Sequence, residues 1–222
     1  MDVEKNFENI GENFHLETYL EAQKICIAVT NEIIDRVEPG MTEKDGQRLV
    51  VEAYKHHGIR KFWHGSKFRI GKDTLKDFSE KPDPSIVCEE GELCFVDLGP
   101  IINKHEADFG RTFVIGGKGR KEYQNLVDAN KIVFDQVADA WRTQQLTGKE
   151  LLKFGEQAAA KFGYKLNPKM AGHRLSDFPH RVHTTKPLFT FSKVPKPHLW
   201  VLEIHLWDVE LERGAFYEDI LI

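Results

Sequence analysis

Leu93-Cys94-Phe95-Val96-Asp97-Leu98 is an apolar run with a single acid inside it, and Leu199-Trp200-Val201-Leu202-Glu203-Ile204 repeats the pattern in the second half of the chain. Short apolar runs of this length, bounded by turn formers, read as buried strands. Each is followed by a second strand carrying another acid. After a turn at Asn103-Lys104 comes Ala107 to Ile115 with Asp108, and after Leu199 to Ile204 comes Gly214-Ala215-Phe216-Tyr217-Glu218-Asp219 with Glu218.

Working outward, each strand pair is preceded by two helical patterns. From about Glu17 to Val37, Ala22, Cys26, Val29, Ile33 and Val37 form one apolar stripe that Pro39-Gly40 ends. Thr42, with Asp45 three residues on, is an acidic variant of the capping box and opens a helix that closes at Gly58. Gly65 to Glu90 is rich in Gly, Pro and charge and reads as loops and brief strands. Beyond the break at Gly116-Gly117 the pattern begins again: Leu126, Ala129, Val133, Val137 and Ala140 at helical spacing, then Thr147 and Glu150 capping a helix that closes at Gly163. Asp97 follows Thr42 by 55 positions and Glu203 follows Thr147 by 56, so the two halves share a register. We read an internal duplication in one domain spanning 1–222, with halves at about 15–117 and 118–222.

An ionised carboxylate in an apolar strand loses its hydration and must be neutralised or paired. Two helix-helix-hairpin units related by a pseudo-twofold would bring Asp97, Asp108, Glu203 and Glu218 to one point. Three environments satisfy them: solvent on edge strands, lysine and arginine partners, or divalent cations, of which the last is the most compact because one ion serves several oxygens. His173, in Ala171-Gly172-His173-Arg174, adds an imidazole. Carboxylates with one imidazole suit Mn(II), Co(II), Fe(II) or Zn(II) and a hydrolytic centre more than a structural zinc.

Composition bounds the alternatives. The 222 residues hold 31 basic and 35 acidic side chains, a formal charge of -4, so there is no cationic excess to meet a nucleic-acid backbone. With 30% charged residues no stretch reads as a membrane span. The start Met1-Asp2-Val3-Glu4-Lys5 lacks the apolar segment of an export signal, and Cys26, Cys88 and Cys94 are odd in number without CxxC spacing. A cytoplasmic protein is the expectation.

Phe95-Val96-Asp97-Leu98-Gly99, Ala107-Asp108-Phe109-Gly110-Arg111-Thr112-Phe113, Gly172-His173, Glu203 and Tyr217-Glu218-Asp219 together resemble the pita-bread metallopeptidases. That superfamily holds methionine aminopeptidases, Xaa-Pro aminopeptidases, prolidases and creatinase-like relatives. Its metal ligands run Asp, Asp, His, Glu, Glu, an order found here from about residue 15 to 222, and Pro39-Gly40-Met41-Thr42-Glu43 is similar to the segment between its first two helices. The resemblance implies an α+β pita-bread fold with two divalent metal ions. Asp97 would chelate one, Asp108 and Glu218 would bridge, and His173 with Glu203 would complete the second. His180 corresponds to the family's second histidine, which hydrogen-bonds the substrate or the tetrahedral intermediate. The implied chemistry is attack of a metal-bridging hydroxide on a peptide carbonyl, with Glu203 as proton shuttle and the substrate amino terminus on a metal, giving exopeptidase cleavage.

The flanks resemble the Xaa-Pro branch, without the N-terminal domain common there, and a homodimer is compatible with such relatives. The implied partner is a peptide or dipeptide substrate, with neither nucleic acid nor membrane. The sequence also departs from the family. Arg174 and Ser176 stand where glycines are usual, and Glu203-Ile204-His205 replaces Glu-Pro-Gly. Asp77-Phe78 falls where a histidine precedes the first aspartate, while Trp63-His64-Gly65 lies well upstream. His64 is retained as a candidate substrate residue. Arg174 is a candidate clamp for a substrate carboxylate, against a surface position or an ion pair with Asp177. His205, on the face of Glu203 by strand alternation, would tune the metal or pack among aromatics. Two rival functions are kept: a catalytically weak or inactive peptide- or protein-binding member of the same fold, and metal-independent hydrolysis of a small guanidino or amide compound.

Overall fold

A computed structural model describes residues 6–222; the polar start Met1–Lys5 lies outside the described residues. Helix α1 (Leu16–Asp35) buries Ala22, Cys26, Val29 and Ile33 along one stripe. Helix α2 (Glu43–His56) begins with the expected capping box: the Thr42 hydroxyl accepts from Asp45 N–H (3.3 Å) and the Asp45 carboxylate accepts from Thr42 N–H (2.8 Å). Strands β1 (Lys61–Phe62), β2 (Lys67–Ile70), β3 (Leu93–Leu98), β4 (Pro100–Ile102), β5 (His105–Glu106) and β6 (Phe109–Val114) complete the first half. The second half repeats it with α3 (Lys121–Gln144), α4 (Gly148–Ala160), β7 (Lys165–Leu166), β8 (His173–Arg174), β9 (Trp200–Asp208) and β10 (Arg213–Ile220). Thr147 and Glu150 cap α4 in the same reciprocal way.

The main sheet is antiparallel in the order β2-β3-β6-β10-β9-β7, with β8 pairing β9. The order reads the same from either edge: edge strand, first hairpin strand, second hairpin strand, then their counterparts reversed. The pseudo-twofold of the pita-bread fold therefore passes between β6 and β10. Alternation then assigns the faces. Cys94, Val96 and Leu98 of β3 pack with Ala22, Val29, Ile33, Val50 and Ala53 of the first helix pair. Trp200, Leu202, Ile204 and Leu206 of β9 pack with Leu126, Val133, Val137 and Leu151 of the second. Tyr217 touches both groups and joins the halves. Each leucine or isoleucine buried there contributes about 1.5–3 kcal/mol, so the helical layer fixes which side chains β3 and β9 turn the other way: Phe95 and Asp97, and Glu203 and His205.

One element departs from expectation. The turn at Asn103-Lys104, both with positive φ, does not join the two main strands directly. It closes a small β4–β5 hairpin that pairs with β1 in a separate three-stranded sheet. Asp108 lies between β5 and β6, just ahead of the main sheet. Among the described residues no helix is long and apolar enough to cross a membrane.

Candidate metal centre

Sheet register lines up the acids. Asp97 is paired with Gly110, Gly110 with Glu218, and Glu218 with Glu203, so a single transverse row carries three carboxylates on the helix-free face. Gly110 makes room for them, because a Cβ there would lie 2.7 Å from Glu218 Oε1 and 2.8 Å from the Phe216 ring. Asp108 joins the row from the strand approach. Its main chain is gripped by Gln23 of α1, whose Oε1 accepts from Asp108 N–H (3.0 Å) and whose Nε2 donates to the Asp108 carbonyl (2.5 Å). The same Nε2 donates to Asp219 Oδ1 at 2.8 Å.

His173 enters on β8, paired with Val201 of β9. Its Nδ1 donates to the Arg174 carbonyl (2.8 Å), which turns Nε2 toward the acids. Nε2 lies 2.9 Å from Asp108 Oδ2 and 3.6 Å from Glu203 Oε1. A carbonyl holding one ring nitrogen while the other faces carboxylates is the arrangement of a histidine ready to bind a metal. His64 is built alike, with Nδ1 donating to the Gly65 carbonyl (3.2 Å) and Nε2 at 3.3 Å from Asp108 Oδ1 and 3.5 Å from Asp97 Oδ1. All five expected ligands therefore converge, and His64 with them.

The electrostatics show what the cluster lacks. Asp108 is 1% exposed and Glu218 2%. Among the described residues, the only basic side chains within ion-pair distance of the four acids are His64 and His173; no lysine or arginine reaches them. Asp97 Oδ1 and Glu218 Oε1 are buried with no hydrogen-bond partner. Burial drives Glu218 well above the carboxylate range, with Asp108, Asp97 and Glu203 repelling it, and burial also raises Asp97 and pushes Glu203 up to about 7. Burial opposes charge on Asp108 too, but the two imidazoles outweigh it and hold that acid down to about 2. Burial likewise disfavours charge on His64 and His173, yet the aspartates raise both to about 9.

Buried carboxylate oxygens without a hydrogen-bond partner, beside imidazoles that give up an Nε2 proton when a cation displaces it, are the donor set that divalent cations fit. Donor atoms of His64, Asp97 and Asp108 lie within 4.8 Å of one another, as do those of Asp108, His173 and Glu218, so two groups share Asp108. A third donor group, Glu32, His56 and His57, lies apart on the helical surface, where Arg36 also pairs with Glu32.

The centre forms the floor of a cavity of about 390 Å³. His180 lines it, its Nδ1 held by Glu106 Oε2 at 2.6 Å, and burial keeps that imidazole below its ordinary range. Trp63 was not foreseen. Its ring lies 4.3 Å from His64, 4.8 Å from His173 and 5.1 Å from His180, and its Nε1 donates to the Ala107 carbonyl. A tryptophan adjacent to His64 was the available signal. Glu106 and Gln23 carried none, each standing among charged and polar neighbours in the sequence.

Arg174 and His205 are engaged away from the carboxylates. Arg174 is 1% exposed, and its guanidinium donates to the carbonyls of Phe7, Asn9, Leu175 and Leu199 while lying over the Trp200 ring. It is thus neither a surface residue nor a partner of Asp177, which accepts from Gly11 N–H. It pins the segment ahead of α1, with its donors spent on main chain instead of a substrate carboxylate. His205 does share the face of Glu203, but its Nε2 donates to the Thr74 carbonyl (2.7 Å) and its ring meets Phe95, Phe216 and Trp207 edge-on. It packs beneath the site among aromatics and reaches no metal donor.

The chain is 24% identical over 166 residues to an Xaa-Pro dipeptidase of Pyrococcus furiosus, covering 73% of this chain and 46% of the relative, so it spans about half the length of that protein. It is equally 24% identical over 183 residues to a methionine aminopeptidase of Aquifex aeolicus, covering 75% and 67%. Among solved structures, a methionine aminopeptidase of Thermotoga maritima superposes with TM-score 0.72 at 16% identity over 92% of this chain and 90% of the other. An X-Pro aminopeptidase of the same organism gives 0.76 at 18% identity over 91% and 56%. These likenesses share the pita-bread fold. The model of metallopeptidase family M24 matches residues 17–222, nearly the whole chain, and the chain belongs to that family.

Proposed function

We propose that this chain is a dinuclear-metal exopeptidase that removes the first residue of a peptide or splits a dipeptide. The observation that carries the reading is the buried trio Asp97, Asp108 and Glu218, joined through Asp108 to two groups of donor atoms, with no lysine or arginine within ion-pair distance among the described residues. In this reading Asp97 serves one ion, His173 and Glu203 the other, and Asp108 and Glu218 both. Two ions of the Mn, Co, Fe or Zn type supply the Lewis acidity that polarises a peptide carbonyl and acidifies water.

The chain's own residues do the rest. Glu203, at the rim of the carboxylate row and lining the cavity, takes a proton from water and passes it to the leaving amine. His180 and His64 face the substrate from two sides, and Trp63 packs between their rings. A free, neutral substrate amino group would bind one of the ions, which would select free amino termini. Xaa-Pro peptides are the first substrates to try, on the flanking segment Ala107–Phe113, and Met-initiated peptides the second. Arg174, committed to main-chain carbonyls, takes no part.

The test is a library of short peptides with free and blocked amino termini, assayed with added Mn(II) or Co(II). Cleavage confined to free amino termini, and lost with chelator, is expected. Two bound ions with no peptide cleaved would make the chain a binding member of the fold, and hydrolysis surviving complete chelation would remove the metal mechanism.

A further inference from the structure

Two residues before Asp108 stands an acid with no place in the ligand set. Glu106 ends β5, is 1% exposed, and has no lysine or arginine within ion-pair distance among the described residues. One loop saturates its carboxylate. Oε2 accepts from the His180 ring Nδ1 (2.6 Å) and from Ser176 N–H (3.4 Å), and Oε1 accepts from His180 N–H (3.1 Å). Main chain repeats the tie: Glu106 N–H donates to the Ser176 carbonyl at 3.0 Å, and His105 bridges to Asp177. The loop from 176 to 180 is thereby hung on the strand that leads into Asp108.

A carboxylate only accepts, so Nδ1 must hold the proton in this contact. That leaves Nε2 as the ring's other polar atom, and no described residue hydrogen-bonds it. The ring is not free to turn. It stacks on His173 with centroids 6.0 Å apart at 22°, and Trp63 meets it edge-on at 5.1 Å.

We infer that Glu106 is a positioning residue for His180: it keeps a proton on Nδ1 and aims Nε2 into the cavity, which fixes the ring atom that meets the substrate. The consequence for turnover rests on the peptidase reading above; the position of the proton does not.

The first measurement needs no activity. Long-range 15N–1H correlation spectra of the full chain loaded with Zn(II), with His180 assigned by its absence in His180→Asn, are expected to show the Nδ1–H tautomer. A wild-type Nε2–H tautomer would overturn the assignment. Glu106→Gln keeps the volume but removes the charge and replaces one accepting oxygen with an amide donor, and is expected to shift or remove the His180 Nδ1–H signal while leaving zinc content unchanged. An unaltered His180 pattern in that variant counts against the inference. If peptides are cleaved, Glu106→Gln should lower kcat/KM by about tenfold to a hundredfold, and by less than about twofold when introduced into His180→Asn. Independent, multiplying losses would refute positioning through His180. Absence of cleavage by the wild type would sink the peptidase reading and leave the spectra to decide this one.

Discussion

Gly172→Ala tests how the backbone holds the centre. Gly172 has φ +66, in the left-handed region, where a residue with a Cβ is strained by about 1–2 kcal/mol. The added Cβ would lie 2.4 Å from the Val201 carbonyl oxygen and 2.9 Å from Leu188 Cβ. Neither neighbour is a flexible side-chain tip, so overpacking adds about 1–3 kcal/mol. The stiffer unfolded chain returns about 0.4–1 kcal/mol, leaving a net loss of about 1–5 kcal/mol.

Relief comes by moving β8 away from β9, and His173 is paired with Val201 across that seam. Stability and metal affinity should therefore fall together. Gly58→Ala is the control, since Gly58 has φ +68 but nothing within 4 Å of an added Cβ. It should lose only the backbone strain and keep its metal affinity. Urea unfolding of metal-free protein gives the stability change, and calorimetric titration with Zn(II) gives the affinity. A Gly172→Ala protein within about 0.5 kcal/mol of wild type, with undiminished zinc affinity, would refute the account of how His173 is placed.

Further expectations follow from the same geometry. Asp108→Asn keeps the Gln23 grip on the main chain but removes the charge that both donor groups share; turnover should be abolished and metal content reduced, and near-normal rates with full metal would show that the centre is misplaced. Arg174→Met removes the guanidinium donor from four carbonyls, of which Leu199 keeps the Leu175 N–H, and should cost about 2–4 kcal/mol in urea unfolding. Its kcat/KM should change equally for a dipeptide and its amidated analogue, and a loss confined to the free carboxylate would return Arg174 to the substrate. Thr42→Ala and Thr147→Ala should each cost about 1 kcal/mol at neutral pH. Hydrogen bonds from Thr42 hold Asp45 below its ordinary range, and those from Thr147 do the same for Glu150. A depressed folded-state value stabilises above the unfolded one and fades as pH falls through the folded one. The cost of both substitutions should accordingly shrink in acid, and a cost independent of pH would contradict the reciprocal caps.

Much of the architecture was legible because the duplication is written twice. Thr42 and Thr147, each with an acid three residues on, mark equivalent helix starts, and Asp97 and Glu203 are lone acids in equivalent apolar runs. Buried charge in a strand needs a partner, so these positions announced chemistry before any contact was known. What remained hidden depends on pairing between distant segments. His64 reaches Asp97 because Lys67 of β2 pairs with Asp97 of β3, and the excursion from Gly71 to Glu92 between those strands conceals that register in the sequence. Arg174 has the composition of a surface or substrate residue, and only the placement of Phe7 and Asn9 shows that its donors are consumed. For His205, alternation gave the correct face, but its ring packs edge-on against Phe95 and Phe216 and its Nε2 is spent on the Thr74 carbonyl. The β4–β5 hairpin escaped because Asn103-Lys104 suits any tight turn and does not say which strands it joins.

The central claim is that the acids of the two hairpins meet around a pair of cations. Anomalous diffraction from crystals grown with Mn(II) tests it most directly. The account predicts two peaks on the floor of the cavity, with Asp108 and Glu218 touching both, Asp97 one, and His173 and Glu203 the other. A cavity without a peak, with manganese bound only at Glu32, His56 and His57, would contradict it.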